Sequence, residues 1–204
     1  MFRGKPVLAV IPARAWSRGL AGKNLLKLDG LSLIQHAAKA AFDSGLVDMV
    51  VVSSEDPEIL KHAAGITDVV AHRRSELAAN ETATSGDVIR DLLDSDHDDV
   101  FIDEGNAPWF VYLQASSPFR SGTHVRGAFE VLAENPHAEA VVSVVDEAGF
   151  RPNGAIYIFT LEEFKKTGKL PVEGVAKFVM GAEESLQINT LEEYEEAKAR
   201  YGAD

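Results

Sequence analysis

The sequence predicts an α/β fold, a three-layer α/β/α sandwich with a mostly parallel central sheet. Three observations lead there. Several short runs are apolar at nearly every residue, as strands covered on both faces must be. These runs alternate with segments that carry helix caps and helically spaced apolar residues. The 204 residues, 46% apolar and 25% charged, suit one domain over residues 1–204 with a sizeable core.

The elements follow in order. Val7–Ile11 is a buried strand ended by Pro12, and a loop containing Gly19, Gly22 and Gly30 follows. Ser32 caps a helix through Leu33, Ile34, Ala37, Ala38 and Ala41, closed by Gly45. Met49–Ser53 is the second strand, and Pro57 opens a helix to about Ala64. Val69–Val70 is a short strand, and Thr84 or Ser85 starts a helix through Val88, Ile89, Leu92 and Leu93. Strand Trp109–Leu113 runs into Gln114–Pro118, and a helix covers about Thr123–Asn135. Ala140–Val145 and Ala155–Phe159 are strands, 161–167 is a short helix, and Ala176–Met180 is the last strand. Thr190 and Glu193 form a capping box for a final helix to about Tyr201. Ligands of such sheets bind beyond the carboxyl ends of the strands, which directs attention to loops 12–30, 53–57, 72–87, 114–122 and 146–153.

Composition excludes several chemistries. There is no cysteine, hence no disulfide, thiol nucleophile or Cys-ligated metal, and the cytoplasm is the expected compartment. The apolar run Val7–Ile11 is too short for a membrane span or a signal peptide and Arg14 follows it. A net charge of −12 argues against nucleic acid. Residues 1–28 nevertheless hold six basic side chains and no acidic one, which suggests a small anionic ligand. Gly19–Asn24 is not a P-loop, because its glycines are too close and Asn24 stands where a hydroxyl should be. No GxGxxG follows the first strand. Asp94–Asp98 lacks the glycine and glutamate of a calcium loop and reads as a solvated acidic run. The six histidines are scattered, which argues against zinc.

The informative stretch is Ile11–Asn24. It leaves a buried strand and carries Arg14, Arg18 and Lys23 on a glycine-containing loop. Backbone N–H groups with Arg and Lys can hold a triphosphate and stabilise a departing pyrophosphate. An ordinary βα loop with surface cations would look similar.

Here the chain resembles the CMP-sugar synthetases, in particular the acylneuraminate cytidylyltransferases. The family loop IPARGGSKGIPGKN aligns without a gap. Arg14, Ser17, Gly19, Gly22, Lys23 and Asn24 match, Arg18 replaces Lys, and Ala15 and Trp16 replace two glycines. Arg73–Ala78 looks like the family's RPxELA, followed by the hydroxyl-rich Thr82–Asp87. Leu113–Arg120 is similar to LQPTSPLR, and Arg151–Ile158 to RPNGAIYI.

The resemblance implies a Rossmann-like nucleotide-diphospho-sugar transferase fold and a cytidylyltransferase reaction. The hydroxyl of an acidic sugar such as an N-acylneuraminate, or of a related small acid, attacks the α-phosphorus of CTP. Catalytic roles fall to Arg14 and Lys23, and nucleotide contacts to Ser17, Arg18, Asn24, Arg73 and Thr84, although Thr84 could equally be a helix cap. Gln114 faces the base or the acceptor, and Arg151 and Asn153 meet the acceptor, Arg151 through its carboxylate. The partners implied are CTP and an acidic sugar, with Mg2+ bridging the phosphates. Two departures stand out. The family's magnesium-holding DIDTxED reads Gln187-Ile188-Asn189-Thr190-Leu191-Glu192-Glu193 here, with both acids turned into amides, which leaves the metal ligands unknown and Asn189 as a helix cap. The family's dimer-forming arm is cut to Asp146–Phe150. A nucleotide-binding relative without turnover, and a transferase for another NTP, are the competing readings.

Overall fold

The computed structural model describes residues 1–16, 19–94, 107–146 and 151–202. Ser17 and Arg18, the acidic run beyond Asp94, most of the shortened connection before Arg151 and the last two residues lie outside the described residues.

Strand β1 (Val7–Pro12) leads to a 3-10 turn at Lys23–Leu25 and a small hairpin of β2 (Lys27–Leu28) and β3 (Leu31–Ser32). Then come α1 (Leu33–Asp43), β4 (Met49–Ser54), α2 (Pro57–Ala64), β5 (Val69–Arg73), α3 (Glu76–Ala79) and α4 (Ser85–Asp94). The second half holds β6 (Trp109–Tyr112), α5 (Gly122–Glu134), β7 (Ala140–Val144), β8 (Pro152–Thr160), α6 (Leu161–Thr167), β9 (Ala176–Val179) and α7 (Leu191–Tyr201).

The helix starts follow from capping chemistry. Ser32 Oγ accepts the Gln35 N–H at 3.1 Å while Gln35 Oε1 accepts the Ser32 N–H at 2.9 Å, a reciprocal box. Asp56 accepts the Ile59 N–H at 2.9 Å ahead of Pro57, which has no N–H to satisfy. Thr190, not Asn189, caps α7: its hydroxyl accepts the Glu193 N–H at 3.3 Å, and Glu193 accepts the Thr190 N–H at 2.8 Å.

Seven strands form one sheet in the order β5-β4-β1-β6-β8-β7-β9. All pairings are parallel except those of β8, which runs antiparallel to β6 and β7. Strand alternation sorts side chains to the two faces. Val7, Ala9 and Ile11 pack with α1, α2, α5 and α7, whereas Leu8 and Val10 pack with α4 and α6. The three-layer sandwich with its mostly parallel sheet is therefore present. The sequence reading misses the antiparallel sense of β8, its start at Pro152, and the short β2–β3 and α3 elements. No helix among the described residues is long and apolar enough to cross a membrane.

This topology places a site. The chain leaves β1 towards β4 and β5, then returns to β6 on the other side of β1. Strand order thus reverses between β1 and β6, and a crevice opens above their carboxyl ends.

Candidate functional site

The crevice holds a cleft of about 370 Å³. Pro12 and Arg14 come from the end of β1, Lys23 and Asn24 from the 3-10 turn, Thr84 and Ser85 from the start of α4, and Gln114 from the end of β6. The loop after β1, the start of α4 and the end of β6 therefore meet because the sheet brings β1 beside β6.

The loop after β1 is fixed from two sides. Asn24, buried, donates through Nδ2 to the Arg14 carbonyl at 2.9 Å. Glu55 Oε1, just past β4, accepts the Ala15 N–H at 2.8 Å. Glu55 is in turn met by Arg74 Nη1 at 3.5 Å, while Arg74 Nε and Nη2 hold Ser53 Oγ at 2.9 Å and its carbonyl at 2.7 Å. Burial lowers the Arg74 pKa from its usual value, with the nearby Tyr112 and Glu55 acting the other way. The Arg14 guanidinium donates to the Ala83 carbonyl, linking this loop to the opposite wall.

Lys23 closes another side. Its ammonium donates to the Ile188 carbonyl and to Asn189 Oδ1, both at 3.0 Å. Burial lowers its pKa, and the charge of Glu193 opposes that shift. Gly19 lets the loop lie against this segment, since a Cβ there would stand 2.2 Å from the Asn189 carbonyl oxygen. Gln187 Nε2 donates to the Asn153 carbonyl at 2.6 Å and approaches Gln114 Oε1 at 3.4 Å.

On the far wall, Thr84 and Asp87 form a reciprocal box. Asp87 accepts the Thr84 N–H at 2.6 Å and its hydroxyl at 2.7 Å, which lowers the Asp87 pKa. Tyr112 floors the cleft, and burial raises its hydroxyl pKa against a hydrogen bond with Ser85. Behind Gln114, the fully buried Arg120 donates through Nη1 to the carbonyls of Gln114 at 2.9 Å and Ala155 at 3.1 Å, tying β6 to β8. Burial brings its pKa down to about 10.

A protein-family model described as cytidylyltransferase matches residues 8–194. The chain belongs to the cytidylyltransferase family. It is 29% identical over 225 aligned residues to an N-acylneuraminate cytidylyltransferase of Streptococcus agalactiae serotype V, covering 93% of this chain and 52% of that protein. It is 37% identical over 139 residues to the CMP-N,N'-diacetyllegionaminic acid synthase of Legionella pneumophila, covering 68% of this chain and 57% of that protein. The chain spans about half the length of these curated relatives. A solved CMP:2-keto-3-deoxy-manno-octonic acid synthetase complexed with CTP superposes with TM-score 0.67 at 16% identity, over 96% of this chain and 98% of that one. A 4-diphosphocytidyl-2C-methyl-D-erythritol synthase does so with TM-score 0.69 at 12% identity, over the same shares. At these identities the two structures speak to the fold, a mostly parallel sheet flanked by helices.

Within this cytidylyltransferase-family chain, the sequence-derived residues divide. Arg14, Lys23, Asn24, Thr84 and Gln114 are brought together around the cleft. Thr84 lines the cleft, and its hydroxyl also accepts the Asp87 N–H at 3.3 Å at the start of α4. Arg73 ends β5 exposed and outside the cleft lining, and it is the neighbouring Arg74 that turns inward. Arg151 is exposed just before β8 and also outside the lining. Asn153 is buried and also outside the cleft lining: its Oδ1 accepts from Ser143 Oγ at 2.5 Å and the Ala155 N–H at 3.0 Å, and Nδ2 donates to Ser185 Oγ at 2.8 Å. Ser17 and Arg18 lie outside the described residues. Sequence reasoning does not single out Glu55, Arg74 or Tyr112. Glu55 lies in a loop that the strand-end rule flags, but nothing local marks it as the anchor of another loop.

Magnesium favours charged oxygen ligands together with phosphate. Among the described residues no carboxylate lines the cleft, and no group of three His, Asp or Glu side chains could hold a metal ion. Asn189 Oδ1 faces the Lys23 ammonium, and the Gln187 amide nitrogen is spent on Asn153. The described residues of the cleft do not fit a protein-held magnesium ion.

Proposed function

We propose that the chain transfers a cytidylyl group from CTP to the hydroxyl of an acidic sugar, an N-acylneuraminate or a related small acid, releasing pyrophosphate. The observation that carries this reading is the convergence of Arg14, Lys23 and Asn24 on one cleft at the switch point of the sheet. The family membership and the names of the relatives support the nucleotide and the acceptor class.

In the proposed reaction the acceptor oxygen bonds to the α-phosphorus. The bond to the bridging oxygen breaks, pyrophosphate leaves, and the hydroxyl proton is released. Arg14 and Lys23 balance the charge that builds on the departing phosphates. Asn24 fixes the loop that carries Arg14. Ser17, Arg18, Arg73 and Thr84 contribute to nucleotide binding. Gln114 turns its side chain to base or acceptor, and Arg151 with Asn153 serves the acceptor. No step is assigned to magnesium. The cysteine-free composition supports a cytoplasmic enzyme, and the acidic net charge a small-molecule partner over nucleic acid. The short stretch 146–150 leaves no length for a dimer-forming arm.

The pair Gln187 and Asn189 favours a second reading, a nucleotide binder without turnover. Pyrophosphate release, measured with each of four NTPs against a panel of acidic sugars and small acids, with and without magnesium, separates the two. Release with CTP and one acceptor supports the transferase. Silence with CTP still raising the melting temperature supports the binder. Neither release nor stabilisation rejects both.

A further inference from the structure

Trp16 lines the cleft beside Arg14 and Lys23, yet 84% of its surface is exposed. The chain's other tryptophan, Trp109, is 3% exposed and packs edge-on against Phe2. An indole is a large apolar surface that folding normally removes from water. A single exposed aromatic needs no explanation on an arbitrary surface. This one stands in the wall of the cleft.

The backbone leading to it is anchored. The Arg14 carbonyl is held by Asn24 and the Ala15 N–H by Glu55, so the two residues before Trp16 are both tied to other elements. Glu55 is backed by the buried Arg74. The indole is therefore presented from a fixed base at the mouth of the cleft.

The ligand chemistry follows from what surrounds it. Arg14 and Lys23 suit phosphate oxygens, and Thr84, Ser85 and Gln114 offer neutral polar groups. Tyr112, the other aromatic of the lining, is 2% exposed and sits in the floor. A bare anion has no use for an exposed π face. A ligand with a phosphate end and a planar ring uses both.

We propose that Trp16 is the stacking platform for the nucleotide base, with Arg14 and Lys23 taking the phosphates. This rests on the reading of the cleft as a nucleotide site and adds the residue that grips the ring. Stacking is tolerant of base identity, so Trp16 supplies affinity while choice among bases falls to hydrogen-bonding groups.

The test uses the whole chain, without acceptor, titrated with CTP and with inorganic tripolyphosphate. Binding is followed by calorimetry and by tryptophan emission. CTP is expected to quench the exposed Trp16, with buried Trp109 as a constant background, and tripolyphosphate to bind without that quench. Trp16→Ala should weaken CTP binding about tenfold, the scale of one stacked base, and leave tripolyphosphate affinity unchanged. Trp16→Phe should keep most of the CTP affinity and lose the emission change. The melting temperature checks that each variant folds, and an exposed side chain should leave it unaltered. Unchanged CTP affinity in Trp16→Ala overturns the platform while the nucleotide reading stands. Equal losses for CTP and tripolyphosphate also overturn it, by making Trp16 a support of the phosphate loop. Failure of the unaltered chain to bind CTP removes both the platform and the nucleotide reading.

Discussion

The ammonium of Lys23 donates to Asn189 Oδ1 at 3.0 Å, a cation of the cleft held by a neutral acceptor 166 residues away. The Ile188 carbonyl is its other acceptor at 3.0 Å. Glu193, whose charge attracts Lys23, is itself occupied by the N–H groups of Asn189 and Thr190 at 2.7 and 2.8 Å. A lysine bound this way can exchange its amide and carbonyl partners for phosphate oxygens without breaking a short ion pair.

Lys23→Ala should therefore abolish pyrophosphate release and weaken CTP binding at least tenfold. Hydrogen bonds to charged groups are worth about 1.5–3 kcal/mol, and each 1.4 kcal/mol is a factor of ten. Calorimetric titration with CTP reads the loss. Unchanged affinity with intact turnover would make Lys23 a strap between the 3-10 turn and Ile188 and nothing more.

The paired substitution Gln187→Asp and Asn189→Asp replaces two amides by carboxylates at the edge of the same cleft. Charged oxygens are better magnesium ligands than amides. The doubly substituted chain should release pyrophosphate faster and depend more steeply on magnesium. The carboxylate introduced at position 189 would also face Lys23, so the affinity for CTP without metal should fall. A magnesium titration of turnover in both proteins decides the matter, and identical curves would sink the idea that these amides limit the site.

Much of this cleft is legible in the chain because the strand-end rule and the cationic loop act through local signals. An apolar run ending at Pro12 fixes where the loop begins, and Arg14, Lys23 and Asn24 fall within twelve residues of it. What resists reading depends on register. Arg73 and Arg74 are adjacent, and one step along an extended chain turns a side chain to the opposite side. Only the pairing of Ser54 with Arg73 on β4 and β5 decides that Arg74 reaches Ser53 and Glu55. The bond of Asn153 to Ser143 is likewise invisible until β8 is seen paired with β7. The antiparallel sense of β8 leaves no local mark, because a strand buried on both faces is apolar whichever way it runs. Arg120 ends a resemblance block at Leu113–Arg120, and no pattern of charge announces that it is fully buried.

Gly154 carries a second consequence of the amide at Gln187. Its φ is +80°, and a Cβ there would fall 1.8 Å from Gln187 Nε2. Gly154→Ala should cost about 1–3 kcal/mol from the backbone conformation alone, and more from displacing Gln187. Urea denaturation of Gly154→Ala, Gln187→Ala and the double substitution separates the two parts. The double variant should recover the steric share and keep the conformational one. Strict additivity would mean that the two residues do not contact one another.

The buried ammonium of Lys23 ties both stability and nucleotide binding to pH. In the unfolded chain Lys23 titrates at the ordinary value of 10.5, and in the folded chain burial lowers it. Between the two values the unfolded chain binds a proton that the folded chain does not, so stability rises with pH there. Put the other way, the buried ammonium opposes folding below its folded pKa, and that opposition fades as the pH climbs through it. Bound phosphate reverses the preference, since a polyanion favours the charged form. Nucleotide binding should then take up a proton near the folded pKa of Lys23, and CTP affinity should fall at a pH below the ordinary lysine range. Calorimetry in two buffers of different ionisation heat measures the uptake, and titrations across pH measure the fall. Lys23→Arg keeps its charge throughout and should flatten the profile. A wild-type affinity that stays level up to pH 10.5 would place Lys23 away from the phosphates.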